Sequence, residues 1–196
     1  MAPSDPYTAK AEQDASVDQK KSELQSIIKE SKFAMLTSRD ASGALHSRAM
    51  SPASHQGLVF TFVANHDSGK FDELANDSNV NVSFSDPSST DWASVAGNAK
   101  INTDVEAIKK VWSPLLKSWF GSLDSTRTGE PGDPRIALIE VIPTEIRYWV
   151  KTRTSIGQTF EVVKGAITGE TASPGNLRTI NASELELARK VENKQI

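Results

Sequence analysis

The chain has no cysteine, which removes a disulfide framework, a thiolate metal site and a cysteine nucleophile at once. It has no apolar run near the ~20 residues that a membrane-crossing helix requires. It also lacks a basic excess: 22 lysines and arginines stand against 25 acidic residues, for a formal net charge of −3. A nucleic-acid surface would therefore need a local basic patch, and none is visible. His46, His55 and His66 are scattered over strand and loop segments without metal-ligand spacing. Each reads as a surface or hydrogen-bonding residue rather than a catalyst. No acid–base pair stands out, so no catalytic residue is assigned, and no metal. The opening stretch MAPSDPYTAKAEQDASVDQK has neither the apolar core of a secretory signal nor the acid-poor character of a mitochondrial presequence. These absences disfavour membrane and nucleic-acid partners and make the cytoplasm the expected compartment.

What is present is enough for one core. A chain of 196 residues with 37% hydrophobic residues fits a single domain. The expected division is a disordered N-terminal tail over 1–15, the main domain over 16–170 and a C-terminal extension over 171–196 with a short helix. Val17, Leu24, Ile27 and Ile28 follow helical spacing up to Lys32, with Asp14 or Ser16 as the cap. FAMLTS, RDASG and ALHSRAM read as a β-hairpin in which Gly43 supplies a positive φ. LVFTFVA, NVNVSFSD and DWASVAGNAKIN are further strands, the last with a bulge or bend at Gly97. Asp104 caps the helix DVEAIKKVWSPLLKSWF, which Pro114 kinks or ends. RIALIEVIP and TEIRYWVK meet at Pro143 as a hairpin or one bent strand. FEVVKGAITGE is expected to be helical, ASPGN a loop, and Ser183 with Glu186 a capping box before ELARKVEN. Strands in close succession favour antiparallel pairing. The class is mainly β, a small β-barrel with peripheral α-helices whose closure removes exposed edges.

The junction HDSGK, between LVFTFVA and the helix KFDELAND, places Ser68, Gly69 and Lys70 together. A hydroxyl, a glycine amide and an ammonium at a helix start suit a phosphate monoester. The P-loop comparison fails, because Ala64 stands where the first glycine belongs and Phe71 follows Lys70. The competing reading makes Ser68 an ordinary cap and Lys70 a solvated charge. Arg48, in HSRAM on the preceding strand, is the candidate second ligand, since a guanidinium suits bidentate phosphate recognition.

Taken together, GALHSRAMSP, LVFTFVANHDSGKFDEL, NVNVSFSDP, KKVWSPLLKSWF and EIRYWV resemble the pyridoxamine 5′-phosphate oxidase-like split barrels, within them the general stress protein and fungal blue-light-induced branch. The resemblance runs from about Val17 to Gly169. It implies an FMN-binding split barrel and a homodimer with one FMN in each interface cleft. Carried over by motif, Arg48 contacts the flavin phosphate, while Ala49 and Met50 line the ring through their backbone. Thr61, Phe62 and Val63 border the isoalloxazine or ribityl chain, and Ser68, Gly69 and Lys70 form the phosphate turn. Trp92 opens the strand beside the ring, and Trp112 and Trp149 match aromatic positions that approach from the partner chain. Core or interface packing stands beside that role for each tryptophan.

The chain departs from the true pyridoxamine-phosphate oxidases in having no recognisable C-terminal substrate-binding arginine segment, which counts against vitamin B6 oxidation. The resulting reading is an FMN-binding protein acting as a flavin-dependent oxidoreductase, its small-molecule redox partner unknown. A non-enzymatic flavin-binding stress-response protein is the alternative, and an interaction barrel with an empty cleft the third.

Overall fold

The computed structural model describes residues 5–151 and 174–192. Its centre is one antiparallel sheet of seven strands: β1 Ala34–Arg39, β2 Leu45–Met50, β3 Phe60–Asn65, β4 Asn79–Ser85, β5 Trp92–Asn102, β6 Ile136–Lys151 and β7 Gly175–Ile180. The order is β2-β1-β4-β5-β6-β3, with β7 also paired to β6. The helices are α1 Pro6–Ala11, α2 Val17–Glu30, α3 Lys70–Asn76, α4 Val105–Val111, α5 Pro114–Lys117 and α6 Ala182–Glu192.

The expected hairpin forms from β1 and β2. Asp40 Oδ1 accepts the N–H groups of Ser42 and Ala44 at 2.8 and 2.9 Å, and Gly43 takes φ +91°. Ser16 caps α2, its hydroxyl accepting the Gln19 N–H at 3.3 Å, and Leu24, Ile27 and Ile28 bury the apolar face of that helix against the sheet. Pro114 ends one helix and begins the next, so DVEAIKKVWSPLLKSWF yields α4 and α5.

The two segments around Pro143 are one bent strand. β6 is 16 residues long; its first part pairs with β3 and its second with β7, while β5 lies along the opposite edge for the full length. Gly97 faces Pro143 and Ala96 faces Glu145, leaving Thr144 as the extra residue of a bulge. Proline brings no N–H to this ladder, and side chains satisfy the carbonyls that the bulge frees. Thr144 Oγ1 donates to Ala96 O at 3.3 Å, and Arg189 of α6 donates to Pro143 O at 2.8 Å. Glycine is required opposite the bend, because a Cβ on residue 97 would lie 2.6 Å from Ile142 O.

Closure is where expectation and structure part. β2 and β3 end the strand path without pairing to each other. The chain between them folds back on β3: Ala53 N–H donates to Thr61 O at 2.8 Å, and Thr61 N–H donates to Ser54 O at 2.8 Å. The side of β3 that β2 would need is thus already occupied.

Both terminal segments hold more structure than expected. Within the supposed tail, α1 buries Ala11 and stacks Tyr7 on Trp149, with centroids 5.7 Å apart and planes 17° apart. Gly175 and Asn176 of the expected ASPGN loop are the first residues of β7. Asn181, not Ser183, caps α6, accepting the Ser183 and Glu184 N–H groups at 3.1 Å while Glu184 Oε2 accepts the Asn181 N–H at 2.9 Å. The helix expected over FEVVKGAITGE lies outside the described residues. Buried charge ties these pieces to α2. Glu23 Oε2 accepts from Tyr148 Oη at 2.7 Å and Arg178 Nε at 2.8 Å. Lys20, 4% exposed, bonds Glu184 at 2.8 Å and Thr179 O at 2.9 Å.

The bend gives a direct test. Gly97→Ala forces backbone displacement and should cost about 1–3 kcal/mol, measured as a lower urea midpoint with an unchanged m value.

Candidate functional site

A cleft of about 530 Å³ lies beside β2 and β3. Arg48, Ala49 and Met50 of β2, Val63 to Asn65 of β3, and Lys70 at the start of α3 form one side. Phe33, Leu116, Trp119 and Phe120 supply apolar and aromatic wall. Its polar end is built by a carboxylate. On β2, His46 and Arg48 are two residues apart and share a face; α3 presents Glu73 to both. Arg48 Nη2 donates to Glu73 Oε2 at 2.6 Å, and His46 Nδ1 lies 2.8 Å from Glu73 Oε1. Ser38 of β1 donates its hydroxyl to Glu73 and accepts from Arg48 Nη1. Burial pushes the Glu73 carboxyl up, but hydrogen bonds from Ser38, His46 and Arg48 outweigh it and hold the pKa down at about 2.

Lys70 is the second cation. Its Nζ donates to Ser68 Oγ at 2.5 Å, and Ser68 Oγ donates to Asn65 O at 2.6 Å. Burial, and then the neighbouring Arg48 charge, depress the Lys70 pKa, with Glu73 pulling the other way. Lys70 is therefore not a freely solvated charge. Nor does Ser68 cap α3, whose N-cap is Gly69 with no side-chain capping bond. Gly69 has an ordinary φ of −54°, and a Cβ there would meet nothing within 4 Å. Neither conformation nor packing accounts for a glycine at this position.

The sequence-derived residues separate into groups. Arg48, Ala49, Met50, Val63 and Lys70 line the cleft together, with Ser68 and Gly69 adjoining through Lys70. Phe62 is wholly buried in the core, and Thr61 is engaged with Ser54. Trp92 and Trp149 line a different pocket, of about 610 Å³, with Tyr7 and Leu177. Trp112 packs on Phe120 at 6.0 Å, over Ile108, Ile136 and Leu138. None of these three tryptophans lines the cleft of its own chain. Trp119, Ser38 and Glu73 were missed. A glutamate in KFDEL reads as helix surface, and only the fold shows that it faces Arg48. Among the described residues, no cluster of three or more His, Asp or Glu could hold a metal ion, and no helix is long and apolar enough to cross a membrane.

The aromatic wall is held by a buried ion pair. Arg135 donates to Asp133 Oδ2 at 2.6 Å, and to the carbonyls of Phe120 and Gly121 at 2.9 Å each. Its bonds to Asp133 hold the carboxyl at about 2 against the opposing effect of burial.

Comparison with known proteins agrees with this architecture. The family model described as "Pyridoxamine 5′-phosphate oxidase like" matches residues 19–173. The chain belongs to that family. It is 39% identical over 189 residues to Protein bli-3 of Neurospora crassa, covering 94% of this chain and 90% of that protein. It is similar to the crystal structure of General Stress Protein 26 from Bacillus anthracis, with TM-score 0.57 and 26% identity over 66% of this chain and 93% of the other. A pyridoxamine 5′-phosphate oxidase-related, FMN binding protein from Nostoc punctiforme shares the fold, with TM-score 0.51, 11% identity and coverage of 71% and 90%. The split-barrel FMN-binding fold of these neighbours is thus the fold of this chain, as an open sheet.

The wall brace predicts an acid-sensitive component of stability. Asp133 has a lowered folded pKa, so its contribution is complete above the unfolded value of 3.8 and is lost as pH falls through about 2. Asp133→Asn should cost about 3–5 kcal/mol at neutral pH by leaving Arg135 unpaired. It should also flatten the fall of the urea midpoint between those two pH values.

Proposed function

We propose that this cleft binds FMN, with the phosphate between Arg48 and Lys70 and the ring system along Met50, Val63, Leu116, Trp119 and Phe120. The observation that carries the reading is the pairing of two crowded cations at one end with an aromatic wall at the other. Two like charges near each other in a half-buried site are relieved by an anion. The open space at Gly69 leaves room for a phosphate to approach the turn, where a Cβ would project. The volume of about 530 Å³ falls in the range of small-molecule sites. FMN-binding relatives within the family support the same ligand.

The second copy of a homodimer completes the site in this reading. The cleft rim is open and apolar: Trp119 is 83% exposed and Phe33 53%. Trp92, 37% exposed, offers an aromatic face to a partner's cleft, whereas Trp149 is 7% exposed beneath Tyr7. Two-fold pairing yields two equivalent sites. Trp112 acts within its own chain, backing Phe120.

Bound FMN would supply redox chemistry, and the chain's part is to bind and orient it. Among the described residues, no carboxylate or imidazole lines the cleft directly, Glu73 and His46 standing behind Arg48, so the lining residues position a cofactor rather than form a conventional acid–base pair. We therefore assign a flavin-dependent oxidoreductase of undefined substrate, with a non-enzymatic flavin carrier as the second reading.

The test is a titration of FMN and of riboflavin, which lacks the phosphate. The Arg48→Ala, Lys70→Ala double variant removes two charge-assisted contacts worth about 1.5–3 kcal/mol each. FMN affinity should fall roughly 10²- to 10⁴-fold while riboflavin affinity changes little; unchanged FMN affinity overturns the assignment. Steady-state NAD(P)H oxidation by the FMN-loaded protein separates the two readings, a carrier giving only background rates.

A further inference from the structure

Glu73 places a negative charge where a phosphate-binding site would least be expected to hold one. Its side chain is 14% exposed, and the Arg48 side chain 22%. The carboxylate accepts from Ser38 of β1 and Arg48 of β2, and lies within hydrogen-bond distance of His46 of β2. It stands three residues after Lys70 on α3. One short helix therefore carries both the second cation of the cleft and the anion that fixes the first. The bonds from Arg48 to Glu73 and Ser38 engage one N–H on each Nη, which leaves three of the five guanidinium donors for a ligand.

Two roles are compatible with such a contact, and they have opposite consequences. If Glu73 only competes with a phosphate for Arg48, removing its charge strengthens anion binding. If it holds an otherwise mobile guanidinium in place, removing its charge weakens binding although the site becomes more positive. Arg48 lies on β2, whose Leu45 is 66% exposed and which pairs only with β1 among the described residues. On such a strand a long side chain has many rotamers to lose, and preorganisation lowers the cost of binding.

We infer that Glu73 is a positioning residue for the phosphate of the ligand, locking Arg48 toward the cleft through a carboxylate itself held by Ser38 and His46. The inference rests on the FMN reading above. It also assigns a specificity role: with Glu73 ionised, Arg48, Lys70 and Glu73 sum to a single positive charge, so phosphate is selected by donor geometry rather than by excess charge. A polyanion gains little from such a site.

The experiment compares FMN, riboflavin and inorganic pyrophosphate binding to Glu73→Gln and to the unaltered full chain, with urea midpoints measured alongside. Glu73→Gln should weaken FMN binding by about tenfold, leave riboflavin binding unchanged and not weaken pyrophosphate. Tighter FMN binding would show simple competition and overturn the inference. A parallel loss of riboflavin would show a collapsed cleft wall and overturn it equally. His46→Ala, at a side chain 50% exposed, is a second and milder probe; it should lower FMN affinity a few-fold, and no change would count against the clamp. In an Arg48→Ala background, Glu73→Gln should no longer weaken FMN binding. If Arg48→Ala alone leaves FMN affinity intact, the site reading fails. If Arg48→Ala weakens FMN but Glu73→Gln does not, only the positioning role fails.

Discussion

The ladder between β5 and β6 is the constraint on which the rest of the structure depends. β6 serves β5 along one edge and two different strands along the other, so its path decides where β3 and β7 lie. A straight strand of 16 residues could not keep both partners packed on one core. The bulge at Thr144 supplies the bend, and Gly97 lets the facing backbone approach. β3 is the element after which the chain turns into Lys70 and Glu73. The cleft is thus downstream of that bend.

The few charges that are buried or half-buried stand at joints between elements. Glu23, Lys20, Arg178 and Glu184 connect α2 to β7 and α6, which are far apart in sequence. Arg135 and Asp133 pin the turn after α5, and Glu73 joins α3 to the first hairpin. Each of these carboxylates has its own set of donors, which offsets the cost of burying it. The net stabilisation from such pairs is small, but removing one partner leaves a buried charge without compensation. They act as alignment devices between elements whose apolar contacts alone would tolerate sliding.

The legible part of the fold was the part governed by local periodicity. β-branched runs, the Asp40–Gly43 turn and the helical spacing of Leu24, Ile27 and Ile28 all report on their own neighbourhoods. GNLRTI was hidden because Gly175 and Asn176 read as turn residues of ASPGN; its place is set by pairing with Tyr148 and Trp149. Asn181 was passed over for Ser183 because both are good caps two residues apart. At the site, Arg48 and Lys70 were singled out by their charge and by motif resemblance, and both line the cleft. Glu73 was not, since a carboxylate argues against phosphate until its partners are known. Trp119 was hidden in a sequence segment that holds two tryptophans, where spacing alone cannot say which faces the cleft.

The strand that carries Arg48, Ala49 and Met50 is an edge strand, with β1 as its only ladder partner among the described residues. Edge strands open locally at low free-energy cost, far below that of global unfolding. Arg48, Ala49 and Met50 sit at such an edge of the sheet, held by a ladder of six residue pairs to β1 and, through His46 and Arg48, by bonds to Glu73 of α3. The same few polar contacts that tie this edge to α3 also fix the direction of the Arg48 side chain, and the core under β5 and β6 takes no part in them.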